Sequence, residues 1–222
     1  MIRVHHLNDS RSQRVLWLLE ELGLDYEVVR YARNAASRLA PPELRAVHPL
    51  GKSPVIDDGD IRIAETGAIF EHLLDAYDPD HRLRPLRGTP DGRRFTYWLH
   101  YAEGSAMPPL LLKLVFSRLP ARAPGLFRPV VARVAAQAQA VFIDPQLKAH
   151  ADWQERELAA TGWFAGTEFS AADMMMSFPL EAAADRAIAR ADYPSIDRFL
   201  TAIHARPAYL RALERGGEYA YA

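Results

Sequence analysis

The sequence predicts an α/β N-terminal domain, in the order β-α-β-α-β-β-α, followed by an all-helical C-terminal domain. Three observations carry this. Short apolar runs with strand-like alternation occur only in the first third of the chain. An Asp-Gly turn joins two of those runs, a hairpin signal. Beyond a stretch at 78–90 with three prolines and little periodicity, Ala, Leu, Arg and Glu dominate and strand patterning stops.

Residues 2–7, IRVHHL, read as a first strand with Ile2, Val4 and His6 on one face. Asn8, Asp9 and Ser10 make a turn. Residues 12–22 read as a helix with an apolar face of Val15, Leu16, Leu18, Leu19 and Leu22, stopped by Gly23. Residues 26–31, YEVVRY, read as a second strand. The helix between makes these strands parallel, joined by a right-handed crossover. Pro41-Pro42 breaks an irregular segment at 32–47, ahead of a short helix through Ala46. Residues 54–57 and 61–64 pair around Asp58-Gly59-Asp60. A helix from Thr66 to about Tyr77 turns Ile69, Phe70, Leu73 and Leu74 inward. The expected domains are 1–80 and 87–217. The second holds helices over 91–115 with a bend at Pro108-Pro109, and over 129–160, 170–184, 194–203 and 207–214. The Pro-rich stretch 104–128 is very apolar for a loop and reads as a pocket wall or interface.

Composition excludes several classes of function. The 222 residues carry 27 basic and 28 acidic side chains, so no charge excess calls for nucleic acid or an anionic membrane. Without cysteine there is no disulfide, thiolate metal site or cysteine nucleophile. The eight histidines lack metal-ligand spacing, so no metal is expected. No segment is expected to span a membrane, which takes about 20 apolar residues. The polar N-terminus lacks the apolar core of a secretion signal, so the expected location is cytoplasmic.

Chemistry concentrates in residues 48–74. Lys52, Ser53 and Pro54 precede one strand, and Glu65-Thr66 leads from the next into a helix. A Lys, a carboxylate and backbone groups at neighbouring strand ends suit a small peptide-like ligand carrying both charges. Each residue also has a structural reading. Pro54 is either a trans proline opening a strand or a cis proline exposing its neighbour's backbone. Lys52 either faces solvent or receives a carboxylate. Thr66 is a good helix cap. Ser10 lies between the first strand and the first helix; either Ser10 or Ser12 simply caps the helix, or the Ser10 hydroxyl joins its N-terminal dipole in holding an anion. No G-x-S-x-G elbow supports a covalent serine mechanism.

On these residues the chain resembles the cytosolic glutathione S-transferases over essentially its whole length. NDSRSQRVLWLLEELGLDYEVV is similar to the serine-type branch, especially its bacterial and fungal members. HPLGKSPVI resembles the family's cis-proline segment, and AETGAIFEHL the segment that holds the γ-glutamyl end of glutathione. GTEFSAADMMM resembles the buried capping motif, with Ser170 capping a helix and Asp173 completing the box, a role that S-x-x-D spacing also fits physically. The resemblance implies a thioredoxin-like N-terminal domain that binds glutathione as co-substrate. Ser10 would stabilise its thiolate. Lys52 would meet the glycyl carboxylate, Ser53 the cysteinyl backbone beside cis-Pro54, and Glu65 and Thr66 the γ-glutamyl group. A small hydrophobic electrophile would sit between the domains, near Tyr97, Tyr101, Met107, Leu111, Phe116 and Phe178, although residues of these types at helical spacing usually build core. Arg14 matches a position that supports the fold. Arg11 would reach ligand, a partner subunit or solvent. A homodimer is implied. Thr66 stands where serine is commoner, and the serine-rich signature of maleylacetoacetate isomerases is absent. The expected activity is transfer of the glutathione thiolate to carbon. The alternatives are peroxide or disulfide reduction by the same thiolate, and a non-catalytic binding or assembly protein.

Overall fold

The computed structural model describes residues 1–34, 37 and 39–221. Strand β1 (Ile2–Leu7) is followed by helix α1 (Ser12–Leu22), β2 (Tyr26–Tyr31) and α2 (Glu43–Val47). The hairpin β3 (Val55–Asp58) and β4 (Ile61–Ala64) then leads into α3 (Thr66–Tyr77). The sheet order is β2-β1-β3-β4, with β1 and β2 parallel and the other pairings antiparallel. This is the thioredoxin-like arrangement. The α1 crossover makes the first pair parallel, and Gly59 at φ +60° closes the hairpin.

Register fixes what meets at one end of the sheet. Val55 lies opposite His5 on one side and Ala64 on the other. Ser53-Pro54, the start of α3 and the loop after β1 therefore leave the sheet at the same end. The α1 helix ends in a Schellman motif, with Gly23 N–H on the Glu20 carbonyl and Leu24 N–H on that of Leu19. Gly23 sits at φ +69°, where a Cβ is disfavoured. Five consecutive α1 residues, Val15 to Leu19, are wholly buried. An amphipathic surface helix would leave some exposed; this one lies between the sheet domain and the helical domain, touching α8 and α10.

The helical domain comprises α4 (Pro90–Tyr101), α5 (Met107–Arg122), α6 (Arg128–Ala138), α7 (Asp144–Thr161), α8 (Ala171–Arg186), α9 (Pro194–His204) and α10 (Pro207–Gly216). Two departures from expectation share one cause. The helix predicted over 91–115 extends to Arg122 and is interrupted by a π-helical turn at Ala102–Ala106, not by a bend at the prolines. A second π turn, Gln139–Ile143, divides the helix predicted over 129–160. Each lies just before prolines: Pro108-Pro109 in one case, Pro145 in the other. Proline has no N–H for the carbonyl four residues back, so the preceding turn widens. Much of 104–128, expected as an irregular wall, is thus helical.

The α5–α6 hairpin leaves many apolar side chains uncovered, among them Leu126 at 86%, Phe127 at 59% and Val134 at 62% exposure. The helical run Gly125–Thr161 holds a window of mean hydropathy 1.2, long and apolar enough by length and composition to cross a membrane. The expectation that no segment reaches that measure is corrected. The same stretch carries exposed Arg128 and Arg133.

Candidate active site

The shared sheet end gathers the residues singled out around 48–74. Ser53-Pro54 is a cis peptide bond. The Ser53 hydroxyl donates to the His5 carbonyl at 2.7 Å and accepts from Leu7 N–H at 3.2 Å, tying the start of β3 to β1. Pairing of β3 with β1 begins only at Val55, so the Ser53 backbone lies ahead of the ladder. Lys52 and Glu65 are exposed, and neither makes an ion pair among the described residues. Glu65 holds φ +76°, a region that a residue with a Cβ rarely adopts. Such backbone persists where its surroundings enforce it, often at ligand sites. Thr66, expected as the helix cap, is instead the first residue of α3 and is buried; Glu65 takes the cap position without a capping side chain.

Ser10 lies beside α1 but is not its N-cap, a position held by Arg11. Its side chain is buried, with Oγ 2.7 Å from Ser12 Oγ and accepting Ser12 N–H at 3.3 Å. Ser12 Oγ lies 2.9 Å from His6 Nδ1. On the other face of β1, His5 bridges the Tyr31 hydroxyl at 2.9 Å and Asp57 at 3.1 Å. Arg62 and His5 hold the Asp57 carboxyl at about 2, against the effect of burial.

The domains are joined beside Ser10 by charges. Arg14, 1% exposed, donates to the Met175 carbonyl at 2.5 Å and pairs with Glu103. Arg11 Nε reaches the other Glu103 oxygen at 2.8 Å. Both guanidinium groups lie near the Phe178 ring, at 5.6 and 5.4 Å from its centroid. Burial opposes charge on Glu103, but Arg14 and Arg11 outweigh it and hold the carboxyl below the usual range. Arg11 therefore faces an internal partner. No local pattern marks Glu103, which owes its place to the π turn.

The expected electrophile residues do not form one group. Met107 and Phe178 belong to a buried cluster that Phe116 joins. Tyr97 stacks on Tyr101 at 5.5 Å and is 48% exposed, while Leu111 is 54% exposed. Tyr101 instead bonds His150. The cluster is completed by the C-terminal tail, through Tyr219 and Tyr221. Tyr219 donates to Glu181 at 2.5 Å, Ala220 N–H to Asp9 at 3.1 Å, and Tyr221 packs edge-on to Phe178. A separate cavity of about 500 Å³ opens at the linker, lined in part by Glu21, Arg82, Asp91 and Arg206; none of the expected glutathione contacts lines it.

At Ser170 the expected box is present. Asp173 accepts from Ser170 N–H at 2.8 Å and Phe164 N–H at 2.7 Å, and the Ser170 hydroxyl accepts from Ala172 N–H.

The chain is similar to known proteins in sequence and fold. A family model for the glutathione S-transferase N-terminal domain matches residues 1–75. Glutathione S-transferase 1 of Saccharomyces cerevisiae is 35% identical over 226 residues, covering 97% of this chain and 95% of the relative. The chain belongs to the glutathione S-transferase family. Glutathione S-transferase 3 of Schizosaccharomyces pombe is 33% identical, covering 97% of this chain and 88% of its own length. The crystal structure of a glutathione S-transferase from Actinobacillus pleuropneumoniae is 37% identical with a TM-score of 0.83, covering all of this chain and 95% of that one. This chain thus shares both sequence and fold along its whole length with members of the family.

Proposed function

We propose that this protein is a transferase that binds glutathione along the cis-Pro54 edge and transfers its thiolate to a small hydrophobic electrophile. The observation that carries the reading is the pair of exposed charges, Lys52 and Glu65, without an ion-pair partner among the described residues, at the sheet end that also holds the Ser53 backbone and Ser10. A tripeptide with a carboxylate at one end and an ammonium at the other matches that spread. Lys52 meets the glycyl carboxylate, Ser53 pairs with the cysteinyl backbone, and Glu65 with Thr66 holds the γ-glutamyl end. Ser10, as in the serine-type branch, gives a hydrogen bond to the sulfur at the N-terminus of α1, where the helix field favours an anion. Each unit by which the thiol pKa falls corresponds to about 1.4 kcal/mol in favour of the thiolate. The thiolate then attacks an electrophilic carbon and expels its leaving group, with no covalent enzyme intermediate. Met107, Phe116 and Phe178, beside the tail tyrosines, offer the apolar side of the electrophile site. We also propose a homodimer, supported by the uncovered apolar α5–α6 face.

Calorimetric titration with glutathione tests the reading. The expected result is saturable binding that Glu65→Ala weakens by at least tenfold, about 1.4 kcal/mol. Binding no tighter than millimolar and indifferent to Glu65→Ala overturns the enzyme and leaves a non-catalytic member of the fold. A panel of halogenated aromatics, epoxides and hydroperoxides then separates transfer to carbon from peroxide reduction.

A further inference from the structure

Three side chains form a hydrogen-bonded line inward from Ser10. Ser10 Oγ lies 2.7 Å from Ser12 Oγ, which lies 2.9 Å from His6 Nδ1. Ser12 is wholly buried and His6 is 3% exposed. The other partner of the His6 ring is the backbone carbonyl of Gly216, at the end of α10. That helix end approaches so closely that a Cβ on Gly216 would stand 3.4 Å from His6 Cε1 and 2.5 Å from Gln13 Oε1. The charged groups facing His6 are Arg30 of β2 and Asp9 of the loop after β1. Burial, then Arg30, push the imidazole down to about 4 against the pull of Asp9, so the ring is neutral near pH 7.

Counting protons gives the line a direction. A neutral imidazole has one N–H, and a carbonyl only accepts. The His6 proton therefore faces Gly216, and Nδ1 is left as an acceptor. The Ser12 hydroxyl has one proton and two acceptors beside it, Nδ1 at 2.9 Å and the Leu7 carbonyl at 3.4 Å; the unprotonated Nδ1, much the nearer, takes it. The only proton left for the short Ser10–Ser12 contact belongs to Ser10.

We infer that His6, acting through Ser12, is a positioning residue that turns the Ser10 hydroxyl proton inward, so that an arriving thiol meets a lone pair of Ser10 rather than its proton. This deepens the proposed function and rests on it. Donation from Ser10 to the thiolate requires the hydroxyl to swing away from Ser12 and give up that hydrogen bond. Ser12 and the sulfur therefore compete for one proton, and the buried pair sets how acidic the bound thiol becomes. A serine whose hydroxyl was unrestrained would stabilise the thiolate more.

Two measurements test this on the full-length protein. Nitrogen NMR of the ligand-free protein reads the His6 tautomer directly. An unprotonated, hydrogen-bonded Nδ1 is expected; a protonated Nδ1 would drive the line outward and overturns the inference. Ultraviolet titration of bound glutathione reads the thiol pKa. Ser12→Ala is expected to lower it by about 0.5–1 unit, the worth of one hydrogen bond, and Ser12→Thr to restore it. A role in folding alone would not lower it. An unchanged or raised pKa in Ser12→Ala, with glutathione still bound, sinks the inference and leaves the glutathione reading standing. A wild type that does not bind glutathione removes that reading, and with it the consequence for the thiol.

Discussion

Removing the Asp173 carboxylate should unfold the helical domain's centre more readily than any other single change at that helix start. Asp173 lies wholly inside the protein and accepts from Phe164 N–H at 2.7 Å, Ser170 N–H at 2.8 Å and the Ser170 hydroxyl at 3.1 Å. Asp173→Ala strands all three donors away from water. At about 1 kcal/mol net for each bond, the loss is about 3 kcal/mol. A carboxylate acceptor argues for more, and burial, which pushes this group up to about 7, argues for less. For a chain of this size that corresponds to a fall in Tm of about 6–12 °C. Urea unfolding followed by tryptophan fluorescence measures it. Ser170→Ala is the control, since it removes the cap and leaves Asp173 its two backbone donors; its expected cost is about 1 kcal/mol. If the two variants lose the same stability, or Asp173→Ala loses under about 1 kcal/mol, the carboxylate does not organise the segment and the reasoning fails.

Glu103→Gln should cost about 3–5 kcal/mol, because Arg14 is left as a buried charge whose other bond is to the Met175 carbonyl; a loss near zero in chemical denaturation would refute the clamp between the domains. His6 makes the fold acid-sensitive in one window. Its folded value of about 4 lies below the ordinary 6.5, so the unfolded chain takes up the proton first and stability falls as pH drops from 6.5 to 4. The stability advantage of wild type over His6→Asn should therefore grow by about 3 kcal/mol as pH rises across that window; a gap independent of pH would refute it.

What the sequence disclosed follows from how local each cause is. Strand alternation, the Asp58-Gly59 turn and the Gly23 stop depend on neighbours a few residues away, and the elements appear where those signals lie. The Ser170–Asp173 box is equally local. The cis form of Pro54 came from resemblance, since spacing alone left both isomers open. Glu103 escaped notice because its partner is distant in the chain: Arg14 lies 89 residues away. In the sequence Ser12 reads only as a possible cap; its own partners, Ser10 and His6, are near in the chain, but Gly216 reaches His6 only after the last helix docks. Tyr97 and Leu111 share a helical rhythm with Tyr101 and Met107, yet both face outward. Each lies on the same regular helix as its buried neighbour, and the π turn between Tyr101 and Met107 only puts the two pairs out of phase with each other.

That π turn has a consequence for how such a helix can change. A regular helix advances about 100° per residue. The widened turn at Ala102–Ala106 therefore acts as a phase shift between two otherwise regular screws. Deleting one residue there would cancel that shift, restoring an unbroken backbone ladder and leaving α5 close to its present orientation. If the widened turn persisted and α5 lost a residue beyond it, everything that follows would turn by about 100° and Leu110 would swing off the cluster that holds Phe178, while Tyr101 and Trp98 stayed where they are. The widened turn is thus the place where this segment can lose a residue, and in the regular helix beyond it a single-residue deletion re-aims a whole wall.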